Sequence, residues 1–354
     1  MAQHKRIRSG VLGASGYTGA DLIRLAARHP NIEIAVLAAS SHAGKQLAEV
    51  FPHFTFIEAP ALVKAEAADW TGCDAIFSGL PHGTAQDLIK DLLIKDLPGH
   101  LKIIDMSADF RLRDTAVYAK TYGREHAATH LLDEAVYGLT EHYAEDIAKA
   151  RLVACPGCYP TAVLLGLLPL VANRLIDASD IIIDAKSGIT GAGRGLKQNI
   201  LFSEAGEGLS PYSIGTHRHA PEIEQEIGKA AGAAVLVNFT PHLVPMSRGE
   251  LVTCYLRLAD GVSADDLRDS LTFAYRTRPF VKVAAKGIIP ATQNVRGSNY
   301  CQIGVFADRV PGRAIVISTI DNLVKGSAGQ AIQNFNLMFG LPETTGLEQL
   351  ALFP

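Results

Sequence analysis

The 354-residue chain has few cysteines: Cys73, Cys155, Cys158, Cys254 and Cys301 are odd in number and sparse for this length. That argues against a disulfide framework and leads us to expect reduced thiols, one of them reactive. Charge is also scarce: charged residues make up 19 %, against roughly 25 % in ordinary domains, and 33 Lys and Arg against 36 Asp and Glu leave a net charge of −3. That balance argues against nucleic acid or an anionic membrane as partner. Long apolar runs are absent. Ala162 to Ala172 is the longest, contains a proline and falls well short of the ~20 residues that span a bilayer. The amino terminus, MAQHKRIRSG, lacks the apolar segment and small-residue cleavage site of a secretion signal, so a cytoplasmic location is expected. H-E-x-x-H, G-x-S-x-G and G-x-x-x-x-G-K-[ST] do not occur, which removes the main signatures of zinc proteases, serine hydrolases and P-loop ATPases. What is present is 48 % apolar residues, enough for a sizeable core, on a chain whose length predicts two domains at ~150 residues each.

Periodicity gives the organisation. Ile7–Leu12, Ile32–Ala38, Asp74–Ser78 and Lys102–Met106 read as strands, with helices after the glycine turn at Gly13 and over Ala85–Leu93. Strands alternating with helices predict an α/β, Rossmann-like domain with a parallel sheet covered on both faces. From Ser179 the style changes: SDIIIDAKSG, AAVLVNF, ELVTCYLRL, NYCQIGVFA and RAIVISTI are strand-like and less often separated by helices. An α+β domain with a largely antiparallel sheet is expected there. Its helices include Pro221–Ala231 and Ala264–Arg276, the latter behind a Ser263-x-x-Asp266 capping box. The expected division is a nucleotide-binding domain over 1–156 and a catalytic and oligomerisation domain over 157–324. A terminal helix from Lys325 to Phe339 and the tail to Pro354 are expected to return to the first domain.

Gly13-Ala-Ser15-Gly16-Tyr17-Thr18-Gly19 follows a strand and opens a helix. Glycines there permit a tight turn and let backbone N–H groups reach a pyrophosphate at the positive end of the helix dipole. The spacing is G-x-x-G-x-x-G rather than the common G-x-G-x-x-G, so an ordinary glycine turn is the competing reading. The second strand ends in Ala39-Ser40-Ser41, with His42 and Lys45 following, where an NAD-binding domain carries a carboxylate for the ribose. Hydroxyls and a nearby cation suit a 2′-phosphate, so NADP is the expected cofactor.

Val153-Ala-Cys155-Pro-Gly-Cys158-Tyr-Pro-Thr161 leads into an apolar helix and puts Cys158 at or just before its first turn, where the dipole favours thiolate. A nucleophile, a C-x-x-C redox pair with Cys155 and a structural cysteine are all compatible with that spacing; a zinc site lacks a second C-x-x-C, and no metal is expected. The base for a nucleophile is sought in Thr216-His217-Arg-His219-Ala-Pro-Glu222, where two histidines share a face of extended chain. A metal pair is the weaker reading there, as it is for His126 and His130 at helical spacing, which read as surface histidines. Ser107-Ala-Asp109-Phe-Arg111-Leu-Arg113 follows a strand at the carboxyl edge of the first sheet, where an arginine can grip an anion or form a surface ion pair. Ser187-Gly188-Ile-Thr-Gly191-Ala-Gly-Arg194 is a second glycine-rich turn after a strand.

Taken together, GASGYTG, SADFRL, VACPGCYPTAVLLGLLP, SGITGAGR, THRHAPEI and DNLVKGSAGQAIQNFN resemble the N-acetyl-gamma-glutamyl-phosphate reductase family, over nearly the whole chain. The resemblance implies NADPH-dependent reduction of an acyl phosphate, N-acetyl-L-glutamyl 5-phosphate, to the semialdehyde in arginine biosynthesis, through a Cys158 thioester. It also implies a homo-oligomer, dimer or tetramer. His219, with His217 as the alternative, is implied as acid and base. Arg111, with Arg113 and Arg194 as alternatives, is implied on phosphate or carboxylate, and Glu222 beside the substrate, orienting His219. Pro81, His82, Ser187, Gly188, Gly191, Asn322 and Gly326 are implied near the nicotinamide half, and Ser40 or Ser41 on the 2′-phosphate. Competing assignments are aspartate-semialdehyde dehydrogenase, a lysine-pathway aminoadipyl-phosphate reductase, and, from another class, a non-catalytic NADP redox sensor.

Overall fold

The structure is a computed structural model that describes residues 6–94 and 99–354. The chain divides into two compact units, 1–156 with 327–348, and 157–326 with 349–354.

In the first unit, β1 (Ile7–Leu12), β2 (Ile32–Ala38), β3 (Leu62–Val63), β4 (Ala75–Ser78), β5 (Lys102–Asp105), β6 (Val136–Tyr137) and β7 (Leu152–Ala154) form a sheet in the order β3-β2-β1-β4-β5-β7-β6. Every pairing in it is parallel. The strands read as unbroken apolar runs because both faces are covered: Val11, Leu12, Ile76, Phe77, Ile103 and Ile104 are all buried. Strand order reverses between β1 and β4, so the turns after these two strands flank the switch point at which open α/β sheets bind ligands. β3, β6 and β7 are two or three residues long, too short for a period to register in the sequence.

The final helix, Gly329–Met338, lies against Thr140–Lys149 and β5 and is buried nearly all round. Its polar residues are anchored within the unit: Asn334 donates to Gly138 O at 2.9 Å and accepts from Thr140 Oγ1 at 2.7 Å. The tail departs from expectation. Residues 349–354 cluster with the second unit, where Leu352 N donates to Arg296 O and the Leu352 side chain sits over Gly297.

The second unit carries β8 (Ile176–Gly188), β9 (Ser210–Pro211), β10 (Asn238–Val244), β11 (Glu250–Leu258), β12 (Val281–Val283), β13 (Cys301–Ala307) and β14 (Arg313–Ile320), in the order β12-β13-β14-β11-β8-β10-β9. Two pairs, β12 with β13 and β8 with β10, are parallel and the rest antiparallel, so the sheet is mixed. The Ser263–Asp266 capping box forms as the sequence predicts. The strand expected over AAVLVNF begins only at Asn238; Ala233 and Leu236 are exposed beyond the Gly232 helix cap, and the paired residues are NFTPHLV.

The helix Cys158–Ala172 lies on this sheet, in contact with β8, β11 and β14. It contains Pro169, which cannot donate to Leu165 O. Tyr275 supplies the missing donor, its hydroxyl reaching Leu165 O at 2.7 Å. No helix among the described residues is long and apolar enough to cross a membrane.

Candidate active site

In the first unit the glycine turn is made of backbone. Gly13 has φ +79, and a Cβ there would lie 2.5 Å from Gly79 O; a Cβ on Gly19 would lie 2.4 Å from Gly13 O. Only glycine permits this turn and this close approach of helix to loop. Gly16 caps the helix Tyr17–Ala26 without a side-chain hydrogen bond, and no acidic residue sits in the first turn. The turn is therefore shaped and charged to receive an anion. Ser15 and Thr18 are half-buried, whereas Tyr17, Ser40 and Ser41 are exposed, and Ser41 Oγ contacts His42 Nδ1 at 2.9 Å. Pro81 and the exposed His82 follow β4, on the turn whose Gly79 carbonyl abuts Gly13.

The SADFRL motif shapes that turn. Asp109 is fully buried and accepts from Gly83 N, Gln86 N and Tyr118 Oη at 2.7, 3.0 and 2.8 Å. Ser107 donates to Asp105 at 2.6 Å, and burial pushes the Asp105 carboxyl up to about 6. Arg111 is also buried; its Nε and Nη2 donate to Cys155 O at 2.8 Å and Met106 O at 3.0 Å. It ties the end of β5 to the end of β7. Arg113 and Arg194 are exposed, with Arg113 donating to Ala135 O. His126 is no surface histidine: buried, it contacts Asp109 O at 2.8 Å and edges onto Phe110 and Tyr118. Cys155 is buried, with Asn334 Nδ2 3.5 Å from its sulfur, which makes it a packing residue. The described residues contain no cluster of metal-ligating side chains.

In the second unit Cys158 is the first helical residue, half-buried, with Gly157 as cap. The first intrahelical bond runs from Thr161 N to Gly157 O, so the N–H groups of Cys158 and Tyr159 precede the ladder, and Pro160 has none. Two neighbours need glycine. A Cβ on Gly157 would meet the His219 ring, with Nε2 at 2.5 Å, and a Cβ on Gly326 would meet Cys158 Cβ at 2.7 Å. The His219 ring is thus packed against the residue preceding Cys158. Glu222, expected beside the substrate or as the partner that orients His219, is 1 % exposed and accepts from Gly157 N at 2.9 Å, which fixes the turn into the helix.

His217 lies behind His219. It is enclosed by Tyr159, Tyr212, Phe239 and His219, and its Nδ1 accepts from His219 N at 3.1 Å. Burial, helped by the Arg218 charge, pushes its pKa down to about 4, so it is neutral near pH 7 and carries its proton on Nε2.

The SGITGAG turn is fastened to the start of β11. Asn322 Oδ1 accepts from Gly249 N at 2.9 Å while its Nδ2 donates to Thr190 Oγ1 at 3.0 Å. Ser187 is buried, Gly188 N donates to Gly249 O, and a Cβ on Gly191 would lie 3.2 Å from Ser187 Oγ. Sequence reasoning missed Asp109, Tyr159 and Glu250. Glu250 is buried in a strand that reads as an ordinary alternation, and only its place beside Cys158 singles it out.

The chain matches the family described as semialdehyde dehydrogenase, NAD binding domain, over residues 8–150, and semialdehyde dehydrogenase, dimerisation domain, over 158–322. It is 54 % identical over 350 residues to the N-acetyl-gamma-glutamyl-phosphate reductase of Rhodospirillum rubrum, covering 99 % of each chain. The chain belongs to the N-acetyl-gamma-glutamyl-phosphate reductase family. A probable chloroplastic member from Arabidopsis thaliana is likewise 54 % identical, over 99 % of this chain and 86 % of that one. Outside the reductase family, aspartate semialdehyde dehydrogenase II of Vibrio cholerae shares the fold, with a TM-score of 0.71 at 16 % identity over 95 % of this chain and 99 % of that one. The aspartate semialdehyde dehydrogenase of Candida albicans with NADP has a TM-score of 0.67 at 19 % identity, over 95 % of this chain and 99 % of that one.

Proposed function

We propose that this chain reduces N-acetyl-L-glutamyl 5-phosphate to N-acetyl-L-glutamate 5-semialdehyde with release of phosphate, using NADPH, in arginine biosynthesis. The observation that carries the reading is near-full-length identity of 54 % to reductases of that name, far above the 16 % to an aspartate semialdehyde dehydrogenase.

The residues supply the chemistry. Cys158, at the positive end of its helix, attacks the acyl carbon; the carbonyl oxygen gathers negative charge, for which the N–H groups of Cys158 and Tyr159 are donors outside the helix ladder. Expulsion of phosphate leaves a thioester on Cys158. Bound NADPH supplies the hydride that reduces it. His219 gives a proton to the departing phosphate oxygen. His217, neutral and enclosed, positions His219 through the bond to its backbone N–H. Glu222 holds Gly157, and Arg111 holds the strand ends of the nucleotide-binding unit. Arg113 and Arg194, both exposed, are the arginines we assign to substrate anions.

For the cofactor, the space that a Cβ on Gly13 or Gly19 would fill suits close approach of a pyrophosphate to backbone, and exposed Ser40 and Ser41 suit a 2′-phosphate. Pro81 and His82, on the turn after β4, are assigned to the nicotinamide half, together with Ser187, Gly188, Gly191, Asn322 and Gly326. The second unit is the proposed surface of self-association, which light scattering on the purified protein tests.

The test is phosphate-dependent reduction of NADP by N-acetyl-glutamate semialdehyde, run beside aspartate semialdehyde. Activity is expected with the acetylated substrate alone. Cys158→Ala is expected to lose about 10⁴-fold or more in kcat while NADPH affinity stays within about twofold, read by nicotinamide fluorescence. Equal turnover of aspartate semialdehyde would reassign the substrate.

A further inference from the structure

Pro81-His82-Gly83-Thr84 follows β4 and closes on itself, Thr84 N donating to Pro81 O at 3.2 Å with Gly83 at φ +81. A positive φ at the third residue alone makes this a type II turn, which glycine adopts without strain. Two side chains from beyond β5 grip it, one on its N–H groups and one on its carbonyl. Asp109 Oδ1 accepts from Gly83 N at 2.7 Å and its Oδ2 from Gln86 N at 3.0 Å. Arg124 donates to Gly83 O and pairs with Asp87 at 3.2 Å. The His82 ring lies 5.5 Å from that of Tyr122, which packs at 4.8 Å on Tyr118. Tyr118 in turn donates to Asp109 at 2.8 Å, and burial pushes its hydroxyl upward, so it stays a donor.

The start of a helix does not by itself call for this carboxylate. The helix Ala85–Ile94 follows Thr84, a residue type that caps a helix from its own place in the chain. Asp109 instead reaches Gln86 N from 23 residues further on, and it is wholly enclosed, where a carboxylate is costly unless donors offset its lost hydration. A local cap would serve Gln86 N equally and leave Gly83 N unfixed. What Asp109 adds is the orientation of the peptide between His82 and Gly83. That peptide is planar and trans, so aiming the Gly83 N–H at the buried carboxylate turns the His82 carbonyl away from it.

We propose that Asp109, with Arg124 on the carbonyl of Gly83, is a positioning residue for the nicotinamide half of NADPH, holding the turn so that the His82 carbonyl is presented as a hydrogen-bond acceptor. β4 neighbours β1, and the carbonyl of Gly79 at the head of this segment abuts the Gly13 turn. A dinucleotide whose pyrophosphate sits at the Gly13 turn thus meets this segment next along the carboxyl edge of the sheet. The carboxamide and ribose of the nicotinamide half carry donors for the His82 carbonyl. The proposal rests on the reading that the turn after β4 receives that half of the cofactor.

The experiment is calorimetric titration of the full-length protein with NADPH and, separately, with adenosine 2′,5′-bisphosphate, which lacks the nicotinamide half. Asp109→Asn keeps the shape of the side chain and replaces one acceptor oxygen by a donor. Its NADPH dissociation constant should rise about tenfold while that of the bisphosphate stays within about twofold. Arg124→Gln, at a half-exposed position, should raise the NADPH constant about threefold and leave the bisphosphate alone. Equal weakening of both ligands would show a general loss of structure and overturn the proposal, as would unchanged NADPH binding. If Asp109→Asn lacks a native melting temperature, the same two outcomes in Arg124→Gln decide. Native protein that fails to bind NADPH would refute the cofactor reading itself, before any variant is made.

Discussion

The glycine loop proposed for the nucleotide and the cysteine site are built from opposite materials. The loop at Gly13 works by removing side chains, so that backbone donors are exposed where a Cβ would collide at 2.4 to 2.5 Å. The cysteine site works by burying side chains, with Glu250, His217, His219 and Glu222 all under 9 % exposed around one thiol. Backbone recognition is a matter of shape and tolerates water, whereas proton transfer needs groups whose charge water does not stabilise. One site is therefore broken by adding atoms and the other by changing charge.

Three substitutions or titrations sharpen that contrast. Gly13→Ala should be the most damaging, because it adds a clash with Gly79 O to a φ of +79. We expect about a hundredfold rise in the NADPH dissociation constant, measured by fluorescence, with the pH profile of Cys158 alkylation unchanged. An unchanged dissociation constant would mean the loop does not hold the cofactor.

Ser41→Asp adds only charge to an exposed position after β2. It should weaken NADPH and favour NADH, changing the ratio of their kcat/KM values by about tenfold. A constant ratio would remove Ser41 from the 2′-phosphate.

The smallest effect is at His217. Its pKa is lowered in the folded state to about 4 from an ordinary 6.5, so its contribution to stability is present above 6.5 and is lost as pH falls through about 4. Nitrogen chemical shifts should report a neutral ring with Nε2 protonated at pH 6, where an exposed histidine is largely charged. A titration near 6.5 would contradict the enclosure.

The loop was legible because its determinants are consecutive. Seven residues from Gly13 to Gly19 name the turn, and the missing carboxylate after β2 names the cofactor. The placing of Cys158 at the start of its helix was legible for the same reason, since it lies within one run of small residues and prolines. Glu250 was not, because β11 reaches the thiol through sheet pairing and an alternating strand contains nothing that marks one carboxylate as aimed inward. Arg111 shows a role that spacing does not reveal. Its place after β5 suits an anion, yet two of its donors serve backbone carbonyls, a use no spacing reveals. The seven-residue strand at Asn238 was shifted because a proline and a histidine stand in it, while the apolar Val235, Leu236 and Val237 lie upstream.

The buried helix Gly329–Met338 belongs to a unit whose sheet and earlier helices all lie before residue 157. On the ribosome the amino-terminal unit therefore waits. Its sheet is translated first, but Asn334, which ties Gly138 and Thr140, emerges only after residues 157–326 of the second unit have been made. The second unit, although later in sequence, can assemble nearly all of itself before the first is complete, so order of synthesis and order of folding run in opposite directions along this chain.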